Sequence, residues 1–164
     1  MMLEEEKYFT TVEVCTLDRL PLDGCWAVLT KNIEDEERLR QLCAAMGNRL
    51  IVQETWKELL PDAALLISSA ICGGNLETRF QEAAADRRCY LLLEPVKMRF
   101  PLPCLDGCGE CCIEIMEGTH FYSDALCCYY THTPEAMFLW DTEETLERKK
   151  QLAKDSGFLG IVKK

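Results

Sequence analysis

Short, continuous apolar runs alternate along this chain with stretches whose apolar residues recur every three or four positions. The runs Cys25–Thr30, Arg49–Gln53, Ala63–Ile67 and Cys89–Val96 have the length and composition of buried strands. Most of the stretches between them carry the spacing of amphipathic helices. Buried strands that alternate with helices are typical of parallel α/β folds, so the pattern predicts a largely parallel sheet with flanking helices.

Capping residues indicate where the predicted helices begin and end. Asn32 and Asn75 each precede a helical stretch and are predicted N-caps. A last helix follows Asp141, which we expect to be its N-cap with Glu144 in capping-box position, and Gly157 ends it. The predicted helices therefore fall between the apolar runs and near the end of the chain.

The later half of the chain departs from this alternation. Prolines, glycines and four cysteines over 97–118 predict an irregular, Cys-rich loop excursion. Phe121–Tyr130 and Ala136–Trp140 are predicted strands of an inserted hairpin, and Leu159–Val162 is a predicted terminal strand. Residues 1–23 form an acidic lead-in, with an edge strand predicted at Phe9–Leu17.

Together these elements predict a single α/β domain over residues 1–164. About four βα units are present, whereas a complete eight-stranded barrel needs about 200 residues or more. We therefore expect an open sheet or an incomplete (half) β/α barrel with a hairpin and loop insertion. Such a barrel would leave a sheet edge exposed, and pairing two copies would cover it, so we expect a homodimer.

The composition narrows the class of protein. The formal net charge is −10, which argues against nucleic acid as a partner, because phosphate binding needs a basic face. The acidic N-terminus lacks signal-peptide character, and no apolar stretch has the length of a membrane helix. We expect a cytoplasmic protein without membrane contact, whose eleven cysteines are thiols, metal ligands or redox groups rather than disulfides.

Four cysteines lie close together in the predicted loop excursion: Cys104, Cys108, Cys111 and Cys112. Four thiolates could hold zinc or an iron–sulfur cluster. However, structural zinc usually takes two separated Cys pairs, and the adjacent Cys111 and Cys112 would face opposite ways in an extended chain. We expect small or incidental thiols and no cofactor, with a zinc site as the alternative.

The turn after the third apolar run is a candidate ligand site. Small or polar residues fill it: Ser68, Ser69, Cys72, Gly73 and Gly74. Its amides and two hydroxyls could hold an anion at the following helix N-terminus, and Cys72 is the cysteine best placed for a lowered thiol pKa. The turn has neither a P-loop lysine nor a full GxGxxG pattern, so a plain tight connection is the alternative.

Three carboxylates come at or just after the ends of predicted strands: Glu54, Glu94 and Asp141. The carboxyl ends of parallel strands share one rim, so two of these groups could converge as a general acid and base. Solvation or helix capping is the alternative explanation for each of them.

The stretch Phe138–Val162 reads FLWDTEETLERKKQLAKDSGFLGIV. It resembles the closing βα unit of family 18 glycoside hydrolases and their spore-coat relatives, in which an aromatic strand ends in Asp, a helix with an internal Lys and Ala follows, and a Leu/Gly-rich strand closes the barrel. The matching positions are Trp140, Asp141, Thr145, Leu146, Lys149, Ala153, Gly157 and Gly160. The resemblance covers about a sixth of the chain and implies kinship with β/α-barrel glycosidases.

Departures from the family's pattern shape the expected function. Its catalytic strand carries a series of Asp residues that ends in the Glu that protonates the glycosidic oxygen. Glu94 follows Leu91-Leu92-Leu93 without that series, and the closing strand lacks the family's terminal Trp. The resemblance therefore implies a truncated, non-hydrolytic relative.

We accordingly expect a binding or assembly module with a small-molecule or carbohydrate ligand. The first alternative is a hydrolase of sugar-like substrates that uses Glu94 with Asp141 or Glu54. The second alternative is a Cys-ligated metal or redox protein.

Overall fold

The computed structural model describes residues 9–101, 110–111 and 120–163, which form two sheets and three α-helices. The parallel sheet contains β1 (Thr10–Glu13), β2 (Trp26–Val28), β3 (Leu50–Gln53), β4 (Ala64–Ser68), β5 (Cys89–Leu92) and β11 (Gly160–Lys163). The antiparallel sheet contains β6 (Lys97–Pro101), β7 (Glu110–Cys111), β8 (Phe121–Ser123), β9 (Cys128–His132) and β10 (Ala136–Trp140). The helices are α1 (Glu36–Met46), α2 (Leu76–Asp86) and α3 (Glu143–Ser156).

The parallel sheet curls into a nearly closed barrel. Its spatial order is β1-β11-β5-β4-β3-β2, which follows the chain once around the barrel. The two ends of this order meet, because Val14 and Ala27 form a parallel bridge and the Cys15 amide donates to the Ala27 carbonyl at 2.9 Å. The predicted parallel sheet with flanking helices is confirmed, as an incomplete barrel of six strands instead of eight.

The strand predicted at Phe9–Leu17 is present as Thr10–Glu13, at one end of the strand order. β1 pairs with β11 over its whole length, and Val14, the residue after β1, is bridged to Ala27 of β2 on the other side, so β1 lies at the seam of the barrel instead of at an open edge. The exposed sheet edge on which the expectation of a homodimer was based is therefore largely absent. Dimerisation stays a prediction, but the exposed edge no longer supports it.

Alternate residues of the strands separate two apolar clusters. All six strands contribute to the cluster inside the barrel, which consists of small or branched side chains and a single tyrosine: Val12, Ala27, Ile51, Ala64, Leu66, Tyr90, Leu92 and Val162. The neighbouring positions, such as Leu65, Ile67 and Leu91, face outward against the helices. This two-residue alternation with both faces buried explains why the strands appear in the sequence as continuous apolar runs.

Gly160 allows β11 to approach β1 closely. A Cβ atom at this position would overlap the backbone oxygen of Thr10, and Thr10 is the residue that pairs with Gly160 across the seam. A larger residue would push the two strands apart. The glycine is therefore a requirement of barrel closure.

The antiparallel sheet corrects two expectations. The start of the predicted Cys-rich loop, 97–118, is the strand β6, which pairs with β10. The predicted strand Phe121–Tyr130 is in fact the hairpin β8–β9, with a turn over 124–127 in which Cys127 has a φ of 52°. This sheet is inserted between β5 and α3 of the barrel.

The helix starts are partly as predicted, since Asn32 caps a short 3-10 turn and α1 begins only after Asp35. The Asn75 side chain accepts the Thr78 amide at 3.0 Å, which confirms the N-cap of α2. The N-cap of α3 is Thr142 instead of Asp141, and its capping box is closed by Thr145 instead of Glu144. Among the helices in the described part of the chain, none is long and apolar enough to span a membrane.

Candidate functional site

The carboxyl ends of β2 to β5 surround a cavity of about 210 Å³ at one end of the barrel. We call it the mouth cavity. It is lined by polar residues above two leucines of the barrel interior: Lys31, Gln53, Glu54, Thr55, Ser68, Glu94, Leu66 and Leu92. Ligand sites of β/α barrels lie at this end, because the loops after the strands converge there.

Two serines at the end of β4 hold Glu94 at the wall of the mouth cavity. The Ser68 hydroxyl donates to Glu94 Oε2 at 2.7 Å. The fully buried Ser69 hydroxyl donates to the Glu94 carbonyl at 3.0 Å and accepts the Glu94 amide at 2.9 Å. Ser69 therefore fixes the backbone of Glu94, whereas Ser68 contacts its carboxylate.

Gln53, the last residue of β3, contributes a buried polar atom to this cavity. Its side-chain Oε1 is buried and accepts no hydrogen bond from any described residue. A buried acceptor left without a donor costs about 1–3 kcal/mol, and such groups in folded proteins call for an explanation such as a ligand or water.

Glu54 lies at the rim and lines both the mouth cavity and a larger, outer cleft of about 490 Å³. Its Oε2 accepts from Arg79 Nη2 of α2 at 3.0 Å, and both side chains remain between one third and one half exposed. Glu54 and Glu94 thus line the same cavity, as the strand-end argument predicts.

The Gly73–Gly74 turn lines the outer cleft instead of the mouth cavity. Gly74 has a φ of 79°, a conformation that favours glycine. The first amides of α2 are already used, because Leu76 donates to the Ala125 carbonyl at 2.7 Å and Thr78 donates to Asn75. These amides are therefore not free to bind an anion. The Ser68 and Ser69 hydroxyls of the predicted anion site likewise donate to Glu94.

Cys72 is exposed near the same turn. Partial burial of its thiol raises its pKa, and the nearby Lys149 offsets this only in part. The expectation of a lowered pKa at Cys72 is therefore wrong.

Asp141 belongs to a separate, buried polar cluster. Its side chain and that of Lys149 are both 0% exposed, and Lys149 Nζ donates to Asp141 Oδ2 at 2.8 Å. Asp141 Oδ2 also accepts the Val96 amide at 2.8 Å, and its Oδ1 accepts the Thr145 hydroxyl at 2.7 Å. Asp141 does not line the mouth cavity, so it is not brought together with Glu54 and Glu94.

The predicted metal ligands Cys104, Cys108 and Cys112 lie outside the described residues, and of Cys111 only the backbone, in β7, is described. Within 9–101 and 120–163, no group of three or more His, Cys, Asp or Glu side chains could hold a metal ion. Burial raises the pKa of Cys89 to about 12 and that of Cys128 to about 11, so these two are inert, neutral thiols near pH 7.

Three polar residues of the mouth cavity are not among the predicted site residues: Lys31, Gln53 and Thr55. All three carry the signal that identifies Glu54 and Glu94, since Gln53 ends β3, Thr55 comes two residues later, and Lys31 comes three residues after the end of β2. Applying the strand-end criterion to every polar residue type would have included them.

The fold and the site define a six-stranded β/α barrel with a polar cavity at its mouth. No protein-family model, curated protein sequence or solved structure matches this chain. The geometry of the mouth cavity is therefore the feature that bears on function.

Proposed function

We propose that this barrel is a binding module for a small hydroxylated molecule of sugar-like chemistry, held in the mouth cavity. The observation that supports this most strongly is the convergence of Gln53, Ser68 and Glu94 on one cavity of about 210 Å³. Pockets for drug-sized ligands occupy about 300–1,000 Å³, so a single ring or a smaller molecule suits this space.

The donors and acceptors around the cavity match a polyol. The Glu94 carboxylate accepts hydrogen bonds from hydroxyl groups, and the Lys31 ammonium donates to their oxygens. Leu66 and Leu92 offer an apolar surface to the C–H face of a ring. Rotation of the Gln53 amide toward a ligand hydroxyl would give its oxygen the donor that it lacks in the described protein.

Binding without hydrolysis is favoured by the positions of the carboxylates. Glycoside hydrolysis ordinarily uses two carboxyl groups that flank the scissile bond. Asp141 is buried against Lys149, and the Glu54 carboxylate is ion-paired with Arg79 at the rim. Glu94 is held by the Ser68 hydroxyl at the wall of the cavity, and a single carboxylate in this position supports recognition better than catalysis.

The binding proposal is tested by titrating the protein with monosaccharides and polyols, using ligand-observed NMR and calorimetry. We expect Glu94→Gln to weaken binding about ten- to a hundredfold, since a hydrogen bond to a charged group contributes about 1.5–3 kcal/mol. Glu58→Gln is the matched control, because Glu58 is exposed and does not line the cavity. Equal affinity of the Glu94→Gln variant and the wild type would contradict the proposal.

Hydrolysis by Glu94 with Glu54 is the second candidate, and one observation favours it: both residues line the same cavity. Turnover of aryl glycosides by the wild type, lost in both Glu94→Gln and Glu54→Gln, would support it. Sugar binding without turnover would instead support the binding module.

A further inference from the structure

Another cavity, of about 580 Å³, lies where the antiparallel sheet meets the start of α3. Three aromatic rings, one hydroxyl and two carboxylates line it: His120, Tyr129, Trp140, Thr142, Glu143 and Glu144. It shares no lining residue with the mouth cavity. We propose that this aromatic cavity binds a small organic ammonium ion.

The aromatic walls are held in fixed positions. Trp140 is 5% exposed and lies opposite Tyr129 across the β9–β10 pair, with ring centroids 6.1 Å apart and planes 22° apart. The His120 ring packs edge-on against Trp140 at 4.7 Å. The faces of tryptophan and tyrosine attract a cation within about 6 Å of the ring centre, and cages of such rings recognise quaternary ammonium groups.

The charges next to these rings favour a cation. Glu143 and Glu144 are exposed in the first turn of α3. Arg148 pairs with Glu144 at 2.6 Å and lies over the Tyr122 ring, so it does not neutralise both carboxylates. The helix N-terminus presents only about half a positive charge, so the full negative charge of Glu143 still outweighs it.

Helix-dipole stabilisation alone would explain the two glutamates but not the adjoining rings. A neutral sugar would stack on the rings and donate its hydroxyls to the glutamates, but it would leave their negative charge without compensation. An ammonium ion uses both features, which is why we infer this class of ligand over a carbohydrate.

The experiment compares choline with its neutral isostere 3,3-dimethyl-1-butanol, by ¹H–¹⁵N NMR on the full-length chain. The readout is the Trp140 indole resonance, with the Trp26 and Trp56 indoles as internal references, since these donate to Asp23 and Thr30 elsewhere in the molecule. We expect choline to shift the Trp140 resonance with an affinity about tenfold above that of the isostere. Equal affinities, no shift with choline, or a shift produced by N-acetylglucosamine alone would overturn the proposal.

Matched variants separate the two contributions. Tyr129→Leu removes an aromatic wall and Glu143→Gln removes a charge, and we expect each to weaken choline binding about three- to tenfold. The controls are Tyr130→Leu, an equally half-buried neighbour that stacks on Phe121 instead, and Glu147→Gln, which is exposed on α3 outside the cavity. Unchanged affinity in both test variants, with the native spectrum retained, would also overturn it.

Discussion

The mouth cavity and the Lys149–Asp141 cluster both gather polar groups beyond strand ends, but they differ in how their hydrogen bonds are satisfied. In the cluster, the Asp141 carboxylate accepts from Lys149, Thr145 and the Val96 amide, and neither charged side chain is exposed. In the mouth cavity, Gln53 keeps a buried oxygen without a donor among the described residues. The hydrogen bonds of the cluster are complete within the protein, whereas the cavity keeps an acceptor that the proposed ligand would satisfy.

This difference assigns the two regions different roles. Lys149 Nζ also donates to the Ser69 carbonyl at 3.3 Å, so the cluster ties α3 to the end of β4. The Val96 contacts tie the same cluster to the start of the antiparallel sheet. A carboxylate at a strand end is therefore structural or functional according to its partners, and its position in the sequence alone does not decide which.

The largest expected effect follows from breaking the buried ion pair. Lys149→Met leaves the Asp141 carboxylate buried without its counter-charge, and such a loss destabilises proteins by about 3–5 kcal/mol. Urea denaturation at pH 7, followed by circular dichroism, measures the change in the free energy of unfolding.

The double variant Lys149→Met with Asp141→Asn is the control for this prediction. The asparagine retains an acceptor and carries no charge, so we expect it to recover part of the lost stability. If Lys149→Met alone lowers the free energy of unfolding by less than about 1 kcal/mol, the structural role of the cluster is contradicted.

The next effect concerns alkaline pH and the buried thiols at Cys89 and Cys128. Their pKa values are raised in the folded protein, to about 12 and about 11, from 9.0. The folded state therefore keeps these protons while the unfolded state loses them, so stability is complete below about pH 9 and falls as pH rises toward 11–12. We expect a loss of about 1–2 kcal/mol from each thiol by about pH 10.5.

Urea denaturation from pH 8 to 10.5 measures this loss. The double variant Cys89→Ala with Cys128→Ala should show a flatter dependence of stability on pH, even if truncation lowers its stability at neutral pH. The same slope in both proteins would show that other groups cause the alkaline loss. Neither cysteine lines the mouth cavity, so this instability belongs to the buried regions.

How well the sequence predicts each strand depends on whether one or both faces of that strand are buried. The strands β2 to β5 are predicted because both of their faces are buried and leave continuous apolar runs. β6 is missed because its KMRFP sequence mixes charged and apolar residues and precedes a Cys-rich segment. Which strand of an antiparallel sheet pairs with which is a tertiary property that local pattern does not contain.

The site shows the same limit. The strand-end criterion identifies Glu54 and Glu94 correctly as neighbours, but it treats Asp141 in the same way because the sequence does not state which carboxylate has a buried partner. A signal was nevertheless present: Thr145, Lys149 and Ala153 are spaced by four residues on the buried stripe of α3. A lysine on a buried stripe implies a buried counter-charge, and Asp141 is eight residues before it.

The third expected effect is a gain in stability, in contrast to the two losses above, and it concerns Gln53. Gln53→Met keeps the approximate shape of the side chain and removes the unpartnered oxygen, so we expect the free energy of unfolding to rise by about 1 kcal/mol. The same variant should weaken the binding of a hydroxylated ligand in the NMR titration. A gain in stability with unchanged binding would show that Gln53 takes no part in recognition, and a loss of stability would show that its oxygen has a partner.

The smallest expected effect on stability comes from the first of the two serines that contact Glu94. The half-buried Ser68 donates to the Glu94 carboxylate at the wall of the cavity, where water can replace the lost hydroxyl. Ser68→Ala should therefore change stability by no more than about 0.5–1 kcal/mol while it weakens ligand binding. Ser69→Ala is the matched comparison, because it leaves the Glu94 amide and carbonyl without their buried partner and should cost about 1–3 kcal/mol. Parallel urea denaturation and ligand titration of the two variants measure both quantities. If Ser68→Ala lowers stability as much as Ser69→Ala and leaves binding intact, then Ser68 stabilises the fold and takes no part in ligand binding. The proposed binding groups would in that case exclude Ser68.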